Sequence, residues 1–224
     1  VCQSLGMREQ LTFYPEPVGG ISPAPAKAAQ RGFVFSKDKG GDEFSQLYWF
    51  DEASRNVTLL TDGKRTQNNG ALFSHDGKLL AYRSTARNGT DTDVWVRDIA
   101  TGTAKPVVTA GGSWSAQDFS PDGKTLLVMK NVSAAAFGGF AYAPDGKSVY
   151  FVSDEPVNGT AQEFQTLRHH DPASGNLTVL SAKIPWDVAG FNLADDGRHL
   201  AYVTNEDGIS RLHVLSLPSH REIR

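Results

Sequence analysis

Phe119-Ser120-Pro121-Asp122-Gly123-Lys124 is one of four copies of a single phrase in this chain. The others are Phe73-Ser74-His75-Asp76-Gly77-Lys78, Tyr142-Ala143-Pro144-Asp145-Gly146-Lys147 and Leu193-Ala194-Asp195-Asp196-Gly197-Arg198. Each runs at once into a β-favouring stretch: Leu79-Leu80-Ala81-Tyr82, Thr125-Leu126-Leu127-Val128, Ser148-Val149-Tyr150-Phe151-Val152 and His199-Leu200-Ala201-Tyr202-Val203. An apolar strand, an Asp-Gly turn and a second apolar strand make a hairpin. Gly accepts positive φ without steric cost and Asp bonds the nearby backbone. The Pro found in two copies fixes φ ahead of the turn.

A second hairpin follows most copies. Leu47-Tyr48-Trp49-Phe50-Asp51, Val94-Trp95-Val96-Arg97-Asp98 and Leu167-Arg168-His169-His170-Asp171 each end in an acidic residue before a short turn. The return strands are Val57-Thr58-Leu59-Leu60, Pro106-Val107-Val108-Thr109 and Leu177-Thr178-Val179-Leu180. Two hairpins per repeat give four antiparallel strands, the blade of a β-propeller. No segment shows a sustained helical period, so the chain reads as all-β. Gly77 and Gly123 stand 46 residues apart, and Gly146 and Gly197 stand 51 apart, against roughly 40–50 for a blade. Gly123 and Gly146 are only 23 apart. The third blade is therefore expected to be truncated near 130–137, where its outer hairpin should lie. The expectation is one partial propeller domain over residues 1–224. Its four to five blades fall at 15–63, 64–112, 113–136 (truncated), 137–183 and 184–224, the last without a clear fourth strand. An open arc of blades should leave apolar faces on its two terminal blades in water.

With 224 residues, 39% of them hydrophobic and 21% charged, the chain can bury a substantial core. A net charge of −3 without a basic cluster leaves nothing to neutralise a row of phosphates. Nucleic acid is not an expected partner. No apolar run reaches the roughly 20 residues of a membrane helix, and no membrane partner is expected. The single cysteine, Cys2, excludes an intrachain disulfide and a Cys-based metal site. No cofactor is expected. Residues 1–10 are too short and polar for a signal peptide. A start other than Met suggests a piece of a longer protein, and the compartment stays open.

Asp-Gly-Lys hairpins of this kind resemble those of bacterial TolB-like (PD40) propellers and of the prolyl oligopeptidase (S9) family of serine peptidases. Several stretches look more like the peptidase propellers. These are Arg8-Glu9-Gln10-Leu11-Thr12, Gly32-Phe33-Val34-Phe35-Ser36-Lys37-Asp38, Gly111-Gly112-Ser113-Trp114-Ser115 and Ile184-Pro185-Trp186-Asp187-Val188. Asn205-Glu206-Asp207-Gly208 leading into Arg211-Leu212-His213 is another. The peptidase resemblance implies a non-catalytic propeller. It would gate peptide access to, and dock on, an α/β-hydrolase domain of the same parent chain that carries a Ser-Asp-His triad. Its partners would be that domain and a peptide substrate. No Gly-x-Ser-x-Gly elbow occurs here and no βα alternation exists to support one, so no catalytic residue can be assigned. The TolB-like resemblance implies instead a protein-binding scaffold with no enzymatic partner. Bacterial relatives of both kinds are often exported, so the resemblance leans towards a periplasmic or secreted protein.

Candidate contact residues lie in the loops between second and third strands, at 37–43, 85–93, 153–163 and 204–208, where propellers usually place function. Acidic pairs recur there: Asp42 and Glu43, Asp91 and Asp93, Asp154 and Glu155, Glu206 and Asp207. Some peptidase relatives hold a substrate's ammonium group with paired propeller glutamates, although solvated loop charge is the commoner role for such pairs. Trp114 and Trp186 precede an innermost strand and could line one mouth of the channel; filling space between blades is the commoner role for Trp in strands. His169-His170 cannot chelate one ion from opposite faces of a strand. Asp91-Thr92-Asp93 with Asn88 lacks the Gly and terminal Glu of a calcium loop. Five Asn-x-Ser/Thr triplets, at Asn56, Asn88, Asn131, Asn158 and Asn176, mark expected surface positions.

Overall fold

The repeat phrase folds as one local device wherever it occurs. The Gly77 N–H donates to the Ser74 carbonyl (2.8 Å), and Gly123, Gly146 and Gly197 close the same four-residue turn. Pro suits the second place of such a turn and Gly the fourth. The aspartate sits third and turns back on the backbone. The Lys78 N–H donates to Asp76 Oδ1 (3.1 Å), Lys124 to Asp122 (3.1 Å), Lys147 to Asp145 (2.8 Å) and Arg198 to Asp196 (2.7 Å). The Lys78 N–H and the Ser74 hydroxyl (2.8 Å) together hold the Asp76 carboxyl down at about 2.

A computed structural model describes residues 9–132 and 137–223. Cys2, Arg8 and residues 133–136 of the truncated blade lie outside the described residues. The first sheet has the order β1 (Gly19–Pro23), β2 (Gly32–Lys37), β3 (Gln46–Asp51), β4 (Val57–Leu59). The second is β5 (Asn68–Phe73), β6 (Leu79–Ser84), β7 (Asp93–Asp98), β8 (Ala104–Val108). Among the described residues two strands, β9 (Ser113–Phe119) and β10 (Leu126–Asn131), represent the third. The fourth is β11 (Phe137–Tyr142), β12 (Val149–Ser153), β13 (Thr166–Asp171), β14 (Asn176–Val179). The fifth is β15 (Val188–Leu193), β16 (His199–Glu206), β17 (Ile209–Ser216), β18 (Arg221–Glu222). All pairings with a resolved register are antiparallel. Among the described residues there is no helix. Four four-stranded meanders and one truncated pair make the fold a β-propeller with one incomplete blade.

The chain divides between Ser115 and Ala116 into two units. In the first, Val34 and Leu47 pack with Leu80 and Tyr82, joined by Trp49, Phe73 and Trp95, as a seam between sheets one and two. In the second, Tyr150, Val152 and Leu167 pack with Val188, Leu200, Tyr202 and Leu215 between sheets four and five. A second contact recurs between neighbouring blades. A Cβ at the turn glycine Gly77 would lie 2.5 Å from Ala28 Cβ, one at Gly146 3.3 Å from Pro121, and one at Gly197 3.2 Å from Pro144. The motif Pro of one blade is thus the seat for the motif Gly of the next, a role beyond fixing φ.

Three details differ from the sequence reading. Residues 204–208 do not form a long loop: β16 runs to Glu206 and β17 starts at Ile209. Asp207 (φ 52°) and Gly208 (φ 80°) make a two-residue turn with both φ positive, which matches strand twist and lets the ladder extend. The fifth blade does have a fourth strand, the short β18. The outer face of the first sheet is covered only in part: Val57 and Leu59, which pair with Phe50 and Tyr48, are exposed. Phe35 and Phe50 are buried, with Tyr14 over Phe35 (6.1 Å) and Leu11 beside Phe33 and Phe50. The last sheet does expose apolar side chains, Leu212 at 68% and Ile223 at 46%.

Candidate functional site

The longest second-to-third-strand loop, between β12 and β13, is held by an arginine where sister strands carry an aromatic residue. Opposite a second-strand aromatic (Phe35, Tyr82, Phe151 and Tyr202), the third strands place the rings of Tyr48 in β3, Trp95 in β7 and His213 in β17, but Arg168 in β13. Arg168 is only 1% exposed. Its guanidinium donates to the carbonyls of Ser153 (2.8 Å) and Glu155 (2.6 Å), and its Nε to the Thr166 hydroxyl (3.0 Å). Burial draws its pKa down while Glu155 and Asp154 push it up. A buried cation satisfied by carbonyls pins the start of the loop, since leaving it unpaired is expensive. The loop's far end is tied to the segment ahead of β15: the Gln165 N–H donates to Asp187 Oδ1 (2.8 Å), and the Val188 N–H to the Gln165 carbonyl (2.9 Å).

Between this loop and residues 182–185 lies a cleft of about 460 Å³, within the second unit. Its apolar lining is Val157, Phe164, Val179, Ile184 and Pro185, with Glu163 and Lys183 among the polar groups. An apolar trough with one acid and one base suits an extended peptide segment, whose side chains fill it while the charges orient it. Trp186, 36% exposed, follows Pro185 directly. Asp154 is half-buried and Glu155 exposed on the pinned side of the loop, where the Glu155 N–H donates to the Ser153 hydroxyl (3.0 Å).

The remaining candidates are elsewhere. Trp114 is half-buried in β9 of the first unit, and its indole N–H donates to the Gly111 carbonyl (2.9 Å). Asp42 and Glu43 are exposed; Asp42 Oδ1 accepts from the Phe44 N–H (3.0 Å), which shapes its own turn. Glu206 is bound to Arg211 (2.8 Å) and to the Thr204 hydroxyl (3.0 Å), beside His213 (3.4 Å), while Asp207 occupies the β16–β17 turn. Asp93 is fully buried under a two-pronged contact from Arg87 (2.6 and 3.0 Å), and Asp91 accepts from the Gly112 N–H (2.9 Å). Both acids are thus hydrogen-bonded within the 87–112 segment. All five sequon asparagines are exposed.

One hydroxyl does meet an imidazole. Ser148 Oγ lies 2.8 Å from His169 Nε2. The serine is 5% exposed and its hydroxyl also lies 3.4 Å from both oxygens of Asp145. His169 packs on Tyr150 (4.8 Å) and on His220 of the fifth blade (4.8 Å), whose Nε2 meets the Tyr150 hydroxyl (2.8 Å). Burial lowers the pKa of His169, with Asp145 and Asp171 opposing, and lowers that of His220, with His169 adding to the effect. Substrate approach to an enclosed hydroxyl would need the two blades to part, so this cluster is an inter-blade joint. His170, on the opposite face, meets the Asn176 carbonyl (3.2 Å).

Of the residues expected from the sequence, Trp186, Asp154 and Glu155 neighbour the cleft's lining segments in sequence, whereas the lining itself and Arg168 were not anticipated. The signal for Arg168 was present: an arginine out of pattern in an otherwise aromatic column. No family model matches the sequence, and no curated protein matches it. Solved structures do share its fold. TolB from Acinetobacter baumannii superposes with a TM-score of 0.59 at 17% identity over 95% of this chain, which spans 55% of that protein. A putative TolB from Agrobacterium tumefaciens superposes at 0.64 and 14% identity, covering 95% of this chain and 82% of the other. A prolyl endopeptidase gives 0.48 at 16% identity, over 93% of this chain and 42% of that one. The chain has the propeller fold of TolB-like proteins.

Proposed function

We propose that this chain is a non-catalytic propeller scaffold that binds polypeptide in extended form. The observation that carries the proposal is the cleft between residues 157–166 and 179–185, whose apolar lining of Val157, Phe164, Val179, Ala182, Ile184 and Pro185 is interspersed with Gln162, Glu163, Thr166 and Lys183. Its loop wall is fixed in advance by Arg168, and a pre-formed wall lowers the entropy cost of binding. Trp186, Asp154 and Glu155 are the adjacent contact residues. A second reading is favoured by the stretches at 32–38 and 184–188 that resemble peptidase propellers. In it the same surface meets peptide on its way to a hydrolase domain of a longer parent chain.

Peptide-array binding followed by calorimetry tests the proposal. A subset of apolar peptides should bind, and Phe164→Ala should weaken them by about tenfold, the loss of roughly 1.4 kcal/mol of apolar contact. The bound peptides should be recovered intact. Hydrolysis that copurifies with the chain, or binding indifferent to Phe164, would overturn the proposal. A Gly-x-Ser-x-Gly region in the parent gene would select the peptidase reading over the free-standing scaffold.

A further inference from the structure

The second strand of a blade is its most protected strand, because it is paired on both edges and covered on both faces. In β2 Val34 and Phe35 are buried; in β6 Leu80, Ala81, Tyr82 and Ser84; in β12 Val149, Tyr150, Val152 and Ser153; in β16 Leu200, Tyr202 and Thr204. β10 is the second strand of the third blade and contains no buried residue. Leu126, Leu127, Val128 and Met129 are only half-buried, and Lys130 and Asn131 are exposed. The sheet ends at β10 among the described residues. End strands in stable proteins are usually blunted by charge, proline or a bulge. The run from Leu126 to Met129 carries neither charge nor proline, and the strand's single charge, Lys130, stands near its end.

We infer that the outer edge of β10 is a docking site for an extended strand of another polypeptide, which completes the third blade by antiparallel pairing. This goes beyond the cleft reading and does not depend on it. The other blades define the occupant's chemistry. Their third strands β3, β7 and β13 are six residues long, with Leu47, Val94 or Leu167 buried at the second place and Asp51, Asp98 or Asp171 at the end. In the second blade Leu80 pairs with Arg97 and Tyr82 with Trp95. Aligning Gly123 with Gly77 puts Leu126 at the place of Leu80 and Val128 at that of Tyr82. The partner strand therefore carries an aliphatic residue at its second place, a large apolar residue opposite Val128 and an acidic residue near the Leu126 end. Backbone bonds supply the affinity and the alternate side chains the selectivity. A second copy of this chain is a poor donor, because β3, β7, β13 and β17 are each paired on both edges already.

The probe is a fluorescent synthetic peptide with the sequence of residues 91–100, which contains β7. Anisotropy should show saturable binding at micromolar concentrations, and hydrogen exchange should slow at residues 126–130. Two N-methylated versions, blocked at odd or at even backbone nitrogens, keep the protein untouched. Since successive N–H groups of a strand point to opposite edges, one version should lose at least about tenfold in affinity and the other should bind nearly as well. Absence of saturable binding up to millimolar peptide, equal effects of the two versions, or protection away from β10 would overturn the inference. So would a dimer in sedimentation that protects β10 without peptide, which would make a second copy the occupant.

Discussion

Gly77 and Gly123 occupy the same place in the same turn, with φ of 72° and 70°, yet their surroundings differ. A Cβ at Gly77 would lie 2.5 Å from Ala28 Cβ, 2.8 Å from Ala28 Cα and 3.3 Å from Pro25, whereas one at Gly123 would meet nothing within 4 Å. Replacing Gly by Ala at positive φ costs about 1–2 kcal/mol of backbone strain, offset by about 0.4–1 kcal/mol from a stiffer unfolded chain. Gly123→Ala should therefore destabilise by about 1 kcal/mol. At Gly77 the overlap involves backbone, so an overpacking cost of about 1–3 kcal/mol is added, for a total near 3 kcal/mol. Gly146→Ala and Gly197→Ala, tight against Pro121 and Pro144 at 3.3 and 3.2 Å, should fall between. Urea unfolding followed by circular dichroism, with hydrogen exchange at the flanking strands as the local readout, gives the order. Equal losses at Gly77 and Gly123 would refute the claim that the Gly77, Gly146 and Gly197 turns are seated on the preceding blade.

Three further outcomes follow from the second unit. His169 and His220 are held below the ordinary imidazole value of 6.5, so the unfolded chain binds protons there first; stability should fall as pH drops through about 6.5 and level off below their folded values. Unfolding midpoints between pH 7.5 and 5 check this, and a flat or rising profile on acidification contradicts it. Arg168→Met removes the guanidinium donor from the Glu155 carbonyl and leaves the Ser153 carbonyl to the Thr166 hydroxyl (3.1 Å), and should cost about 2–4 kcal/mol. Faster proteolysis within residues 154–165 is its local sign, and an unchanged rate would argue that the loop is held otherwise. Ser148→Ala should change no peptide or ester turnover measured with the purified chain, because the hydroxyl is enclosed; any activity removed by it would make the Ser148–His169 pair a catalytic one.

The blade architecture was legible because its signals are local. An Asp-Gly pair fixes a turn within four residues, and the copies repeat it at blade spacing, so strand order follows with little long-range information. The shortened third blade was legible for the same reason, as a gap of 23 where a full period belongs. The residues 204–208 misled because polar composition resembles a loop; only the paired positive φ of Asp207 and Gly208 shows the hairpin continuing. Exposure of the first sheet's outer face was legible for Val57 and Leu59 but not the burial of Phe35 and Phe50, because Tyr14 meeting Phe35 is a tertiary event without periodicity. Trp186, Asp154 and Glu155 were reached from loop position alone and stand next in sequence to segments that line the cleft, without lining it themselves. The cleft depends on two loops far apart in sequence, and Phe164 and Ile184 look like ordinary apolar residues until folding brings them together.

The central claim is that this propeller acts by contact, through a pre-formed cleft in its second unit. Amide and methyl NMR spectra recorded during titration with an array-selected peptide test it most directly. Shifts confined to residues 157–166 and 179–186, with the peptide unchanged after a day, are the predicted result. Shifts centred on Ser148 and His169 with peptide fragments accumulating would contradict it.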